Sequence, residues 1–345
     1  MNYSLGKVRT LALWHKCARN VLAVVATLLL VLGVYSTAAD AYPAPGYVTG
    51  DTIVHDPAIV IRPSDPRYLI YGYGHGGGSL GDSLTSRDRI GFSSGGSVFA
   101  ENPPWWQWWE PNQATSLWSP DISYHNGKYW LYYAVSTFGS QYSAIALAMS
   151  SSGLPGTWTD QGAIFGSDTS VNYNAIDPNL LVDANGNWWL TFGSFGGGIF
   201  MLPLDRTTGK PTSYSPFNVA ARPVVPDAIE AAFVYGHGGY YYLFASYDLC
   251  CKGVDSTYNI RVGRSSSPTG PFVGDAGRPM TNGGGRVVLA SHDNVAGPGG
   301  ESVSYDSADG HDLLVYHYYD RNRNGYPFLG INWLGWDSNG WPYVY

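Results

Sequence analysis

Five acidic residues stand at matched points of this 345-residue chain, each at the head of a short apolar run: Asp56 in DPAIVI, Asp121 in DISYH, Asp177 in DPNLLVD, Glu230 in EAAFVY and Glu301 in ESVSYD. The chain holds only four Glu, and two of them occupy such positions. Carboxylates brought into one cavity repel one another's charge, which drives their pKa values apart and separates a proton donor from a proton acceptor. Beside aromatic side chains such a pair suits glycoside hydrolysis, in which one carboxylic acid and one carboxylate flank the sugar. Asp before Pro, as at Asp56 and Asp177, is also ordinary turn chemistry, so the reading depends on the five acids converging.

Convergence requires repeated elements. An aromatic, β-branched segment recurs as RYLIYGYG from Arg67, KYWLYYAVS from Lys128, NWWLTFGSF from Asn187, YYYLFASYD from Tyr240 and HDLLVYHYYD from His311, at intervals of 61, 59, 53 and 71 residues. The acids lie 11, 7, 10, 10 and 10 residues upstream of these segments, and turn formers such as PSDPR, HNGK, DANGN and GHGG fill the gaps, so each pair reads as a hairpin. Further strands follow in each unit; IALAMSSSGLPGTW of the second resembles IRVGRSSSPTGPF of the fourth. Five units of roughly 60 residues with about four strands each predict an all-β, five-bladed β-propeller with four-stranded blades around a central channel. First strands surround the channel and consecutive strands run antiparallel, so all five acids should gather at one mouth. The residues ending the second strands, His75, Gly139, Ser194 to Gly196, Asp248 and Asp320, share that rim.

Composition agrees. Charged residues are 13%, aromatics 15%, and there are 44 Gly and 22 Pro, which excludes a disordered chain and, with five Lys and four Glu, disfavours a helical one. Lys7, Arg9, Lys16 and Arg19 precede an apolar run from Val21 to Val34, followed by the small residues Ser36 to Ala39. This reads as a secretory signal peptide over residues 1–39, with 40–345 a single propeller domain; the apolar run is shorter than the roughly 20 residues of a spanning helix. Cleavage takes the net charge from −7 to −11. A secreted, acidic, monomeric protein with no basic cluster is expected to bind neither nucleic acid nor, once cleaved, a membrane. After cleavage the only cysteines are the neighbours Cys250 and Cys251, for which a vicinal disulfide and two thiols are both open.

VHDPAIV, SLWSPDISYHNGKYWLYYAVSTFGS, YNAIDPNLLVD, FGSFGGGI, AIEAAFV and SHDNVAGPGGESV resemble the endo-1,5-α-L-arabinanases of glycoside hydrolase family 43, from about residue 50 to 345. The resemblance implies cleavage of internal α-1,5-L-arabinofuranosyl linkages of arabinan, a component of plant cell-wall pectin, and of arabino-oligosaccharides, with inversion. By motif, Asp56 would be the general base, Glu230 the general acid, and Asp177 the residue that orients Glu230 and keeps it protonated. Asp121 and Glu301 are expected to accept hydrogen bonds that seal the channel. His292 resembles the histidine that faces a metal, often calcium, in the channel of these enzymes, so one calcium ion is expected there. Trp118, Phe195 and Tyr247 are expected to stack on furanose rings, and Asn174, Gly139 and Ser194 match positions near the substrate. Gly196 departs from the pattern, since many relatives carry a bulky residue after this Phe, which bears on chain-length preference. The insertion PPWWQWWEP, residues 103 to 111, is either a binding loop or a plug between blades. An exo-acting arabinofuranosidase or xylosidase of the same family, decided by blocking loops, and a sugar-binding propeller without catalysis are the alternatives.

Overall fold

In the segment KYWLYYAV every residue after Lys128 is buried, because both faces of the strand are covered. Alternate side chains of a strand point to opposite faces. Leu131, Tyr133 and Val135 therefore enter one apolar cluster with Ala58 and Leu69, while Trp130 and Tyr132 enter another with Leu190 and Leu202. A run apolar on both sides is a sheet stacked between two others. The same holds around the molecule, where five apolar clusters each fill the space between two neighbouring sheets.

The computed structural model describes residues 42–74, 81–109 and 117–345. The signal-peptide segment 1–39, His75 of the expected rim, and residues 110 and 111 of the aromatic insertion lie outside them. Residues Tyr42–Tyr345 form one compact unit. Blade one contains β1 (Thr49–Gly50), β2 (His55–Ile61), β3 (Tyr68–Tyr73), β4 (Asp82–Ser86) and β5 (Gly91–Ser97). Blade two contains β6 (Trp118–His125), β7 (Lys128–Val135), β8 (Ser143–Ser150) and β9 (Thr159–Ser167). Blade three contains β10 (Asn179–Val182), β11 (Trp188–Phe192), β12 (Ile199–Leu204) and β13 (Phe217–Ala220). Blade four contains β14 (Ile229–His237), β15 (Tyr240–Tyr247), β16 (Asn259–Ser265) and β17 (Arg286–Leu289). Blade five contains β18 (Val295–Asp306), β19 (His311–Asp320), β20 (Pro327–Trp336) and β21 (Pro342–Val344). Four strands of each blade, β2 to β5 in the first, form an up-and-down meander in chain order, giving the expected five-bladed propeller.

The first blade departs from four strands. Its fifth, β1, pairs in parallel with β5 at Thr49↔Gly91 and Gly50↔Phe92. Gly50 has φ +82°, and a Cβ there would stand 2.1 Å from the Phe92 carbonyl oxygen, so only glycine allows this approach. The same N-terminal segment also lies along β20, through Gly46 N–H to Ile331 O (2.8 Å) and Leu329 N–H to Thr52 O (2.8 Å). The ring therefore closes with one strap hydrogen-bonded to both blade five and blade one.

Asp56 and Glu230 are the second residues of their strands and Asp177 stands just before its own, close to the starts that the spacing suggested, whereas Asp121 and Glu301 lie further in. Asp56, Asp121 and Glu230 lie at register shifts within β2, β6 and β14, Glu301 lies mid-way along the long strand β18, and Asp177 precedes β10 by two residues. Positive φ at Asp56 (47°), Ser119 (38°), Asp177 (56°) and Ala231 (52°) marks these bulges. Such conformations cost of order 1–3 kcal/mol each and persist where surrounding contacts over-determine them.

Candidate active site

Asp56, on blade one, accepts a hydrogen bond from Ser119 Oγ at Oδ2 (2.9 Å). His55 Nδ1 faces the same oxygen at 3.0 Å, though its N–H is not lined up for a regular hydrogen bond. His317 Nδ1 is 3.4 Å from Oδ1 and 3.2 Å from the Asp56 amide nitrogen. Burial opposes charge on Asp56, but His55, His317 and Ser119 outweigh it and hold the carboxyl at about 2. A Cβ at Gly300 would come within 2.1 Å of Asp56 Oδ1, so the backbone of blade five approaches the carboxylate as only glycine permits.

Glu230 sits in the opposite environment. Ser194 Oγ donates to Oε2 (2.5 Å) and the Tyr258 hydroxyl donates to Oε1. Burial, then the charges of Asp177 and Asp56, push its carboxyl up to about 8 against the lowering effect of Ser194. Asp177 accepts the Ala231 amide at Oδ2 (3.0 Å), one residue along from Glu230. Burial and Asp56 raise it to about 7, opposed by Ser119 and that amide. Three adjoining carboxyls thus differ: near neutral pH Asp56 is an ionised acceptor and Glu230 a protonated donor, the division of labour that acid–base cleavage requires.

Trp118, Gly139, Asn174, Ser194 and Phe195, five of the six expected sugar contacts, line one cleft of about 610 Å³ together with Glu230. Asp56 and Asp177 line an adjoining space of about 30 Å³ in the channel, room for about one water, with Asp121 and Glu301. Trp118 lies parallel to Tyr73, ring centroids 6.3 Å apart. Asn174 accepts from Ser143 Oγ (2.6 Å) and donates to Ser140 O (3.2 Å), so it is fixed before any ligand arrives. Gly139 has open space where a Cβ would be, and Gly196, also on the cleft, would place one 3.1 Å from Asn172 O. Asp121 Oδ2 accepts the Leu180 amide (2.8 Å) and Glu301 Oε2 accepts from Ser246 Oγ (2.7 Å), each bond crossing between blades as a channel seal should.

Two expectations are corrected. Tyr247 does not reach the cleft: it is 1% exposed, donates to Gly284 O (2.7 Å) and lies under Arg261, so core packing claims it. His292 does not face the channel, because its ring nitrogens turn to Ala290 O (2.9 Å) and Pro43 O (3.1 Å) beside Tyr42. The histidines at the carboxylates are His55 and His317, stacked with centroids 3.7 Å apart. His317 is fully buried, with Nδ1 against Asp56 and Nε2 without a partner. Because Nδ1 accepts the Asp56 amide, the imidazole proton falls on Nε2, which is left to donate to a water in the channel. His317 with Asp56 therefore fits a hydrated calcium ion, which would draw most of its oxygens from water. The only sign of this in sequence is a His inside the otherwise apolar run LLVYHYYD, and for His55 its place before Asp56. Ser119, Tyr258, Tyr319 and the exposed Phe138 of the cleft were likewise unmarked by spacing.

Cys250 and Cys251 form a disulfide, and Cys250 lines the cleft. In the aromatic insertion, Trp106 is buried between blades one and two and Trp105 Nε1 donates to Asp160 (2.8 Å), so residues 103–109 act chiefly as a plug, with Trp108 left exposed.

A propeller whose channel mouth pairs an ionised with a protonated carboxyl beside an aromatic cleft defines a class, the propeller glycoside hydrolases. Residues 48–342 match the family described as glycosyl hydrolases family 43, and the chain belongs to that family. It is 43% identical over 313 residues to the extracellular endo-α-(1→5)-L-arabinanase 1 of Bacillus subtilis, covering 91% of this chain and 94% of that one. The endo-arabinanase structure from Bacillus licheniformis superposes with a TM-score of 0.79 at 44% identity, over 86% of this chain and 99% of that one. An exo-1,5-α-L-arabinanase from a bovine ruminal metagenomic library matches with a TM-score of 0.79 at 38% identity, over 85% and 97%.

Proposed function

We propose that this protein is a secreted endo-1,5-α-L-arabinanase that hydrolyses internal α-1,5 linkages of arabinan by single displacement with inversion. The observation that carries the mechanism is the separation of carboxyl environments, about 2 at Asp56 and about 8 at Glu230, with Glu230 opening on the cleft. Asp56 takes a proton from the attacking water, and Glu230 gives its proton to the departing glycosidic oxygen as the C–O bond breaks. Asp177 holds the Ala231 amide next to Glu230 and, by its charge, favours the protonated acid. Calcium belongs to the same proposal: held through water by His317 and Asp56, it would supply positive charge that favours the ionised base. Secretion is supported by the basic and apolar N-terminus and by the extracellular Bacillus subtilis relative.

The substrate and the endo mode are supported by the Bacillus relatives, and the exo-acting ruminal relative, with similar overlap, supports exo action as the second reading. Chromatography over time on linear 1,5-arabinan, branched arabinan and xylan separates them. A ladder of arabino-oligosaccharides from the linear polymer is expected. Arabinose or one short product from the first time point would replace endo with exo action, and no product from any polymer would leave a sugar-binding propeller.

A further inference from the structure

The disulfide between Cys250 and Cys251 lies in the loop joining β15 to β16, on the cleft wall shared with Glu230 and Phe195. Its inner side is tied to the opposite catalytic carboxyl. The Cys251 amide donates to the Tyr319 hydroxyl oxygen (2.9 Å), that hydroxyl lies 2.7 Å from His55 Nε2, and His55 Nδ1 lies 3.0 Å from Asp56 Oδ2. With the Tyr319 O–H pointing to Nε2, the imidazole proton falls on Nδ1, which faces Asp56 Oδ2 in an ion-pair contact rather than a lined-up hydrogen bond. Cys251 Sγ also touches His55 Nε2 at 3.9 Å. One chain of contacts thus starts on blade four, crosses blade five at Tyr319 and ends on blade one at Asp56. Cys251 is solvent-exposed and has φ +65°, a left-handed conformation that a free side-chain-bearing loop residue rarely keeps. The eight-membered ring closed by adjacent cysteines restricts that backbone and aims the Cys251 amide at Tyr319.

We propose that the Cys250–Cys251 disulfide is a positioning element of this hydrolase: it forms cleft wall beside the general acid and, through Tyr319 and His55, fixes the orientation of the general base. This rests on the arabinanase reading above. Opening the ring leaves two thiols and a loop free to turn the Cys251 amide away, so the base loses its alignment and the cleft part of its wall. A dithiol opens it by exchange: one reductant thiolate attacks a protein sulfur and releases the other as thiol, and the second reductant thiol displaces the mixed disulfide. Two electrons pass to the cysteine pair, and the reductant leaves as its own disulfide.

The test compares the oxidised enzyme, the enzyme reduced by dithiothreitol and the reoxidised enzyme on linear arabinan, together with Cys250→Ala/Cys251→Ala and Tyr319→Phe. Reduction is expected to lower kcat by roughly 10-fold to 100-fold, the scale of a small misplacement of a catalytic group, to raise KM, and to be reversed by reoxidation. Tyr319→Phe should reproduce the kcat loss with KM unchanged, because it cuts the chain and leaves the wall. Reduced wild-type enzyme with unchanged kcat and KM overturns the proposal, even if the double cysteine variant fails to fold. A folded Tyr319→Phe variant with unchanged kcat, or one whose KM rises together with the kcat loss, overturns it too. An oxidised enzyme without activity on any arabinan overturns the arabinanase reading and this proposal with it.

Discussion

At the scale of single residues, the site works by giving one functional group two environments. Asp56 is surrounded by imidazoles and a hydroxyl, Glu230 by burial and a neighbouring carboxyl. Glu230→Gln and Asp56→Asn should each lower kcat by at least about 10²-fold to 10⁴-fold, the usual contribution of a general acid or base, with melting temperatures near wild type. A finer expectation concerns Ser194, whose hydroxyl donates to Glu230 Oε2 and stabilises the ionised form. Ser194→Ala removes that donor, so the Glu230 pKa rises and the alkaline limb of kcat/KM, expected at about pH 8 in wild type, moves upward; a limb that stays or falls would contradict the assignment. The carboxyls were legible in sequence because a blade repeat places them in phase. His55, His317 and Tyr319 were not, since a buried polar residue in an aromatic strand has no periodic signature, and its role depends on neighbours from blades distant in sequence. His292 shows the converse, a histidine in a matching motif whose nitrogens serve the main chain.

At the scale of elements, hairpins and blades could be read because aromatic runs and turn formers alternate, while irregular segments could not. The strap β1 is two residues long and pairs with a strand some forty residues on, a match that no local pattern encodes. Gly50→Ala tests it: the new methyl collides with the Phe92 carbonyl at positive φ, a cost of at least 1–3 kcal/mol, and Tm should fall by a few degrees without change in KM. The loop between β7 and β8 tests the cleft instead. Phe138 is 78% exposed and lines it, a large apolar face that no core contact explains. Phe138→Ala should raise KM for linear arabinan several-fold while kcat and Tm hold, and an unchanged KM would place the sugar elsewhere along the cleft.

For the whole molecule, the channel is encircled by side-chain hydrogen bonds that step from blade to blade. Ser119 donates to Asp56, Asp121 accepts from Leu180, Asp177 and Asn179 accept from Ala231 and Val234, Glu301 accepts from Ser246, and Ser302 donates to Pro57 O. Closing a ring this way buries acids, and pH then acts on the fold. Asp121, Asp177, Glu230 and Glu301 are held, chiefly by burial, at about 7, 7, 8 and 8, against ordinary values of 3.8 for Asp and 4.5 for Glu. Between these limits the folded protein binds more protons than the unfolded chain, so their contribution is complete below about pH 4 and is lost as pH rises through 7 to 8. Asp56 acts with the opposite sign: its stabilisation is present above the ordinary 3.8 and is lost as pH falls toward 2. Thermal stability should therefore peak near pH 4 to 5 and decline toward pH 8, each raised acid contributing at most about 1.4 kcal/mol per pH unit. Asp121→Asn isolates the effect outside the catalytic carboxyls, because the amide oxygen can still accept from Leu180 N–H but no longer titrates. Calorimetry from pH 4 to 9 should show a shallower decline for this variant than for wild type. Parallel profiles, or a wild-type Tm that rises from pH 5 to 8, would mean that the buried acids of the channel are ionised in the folded state.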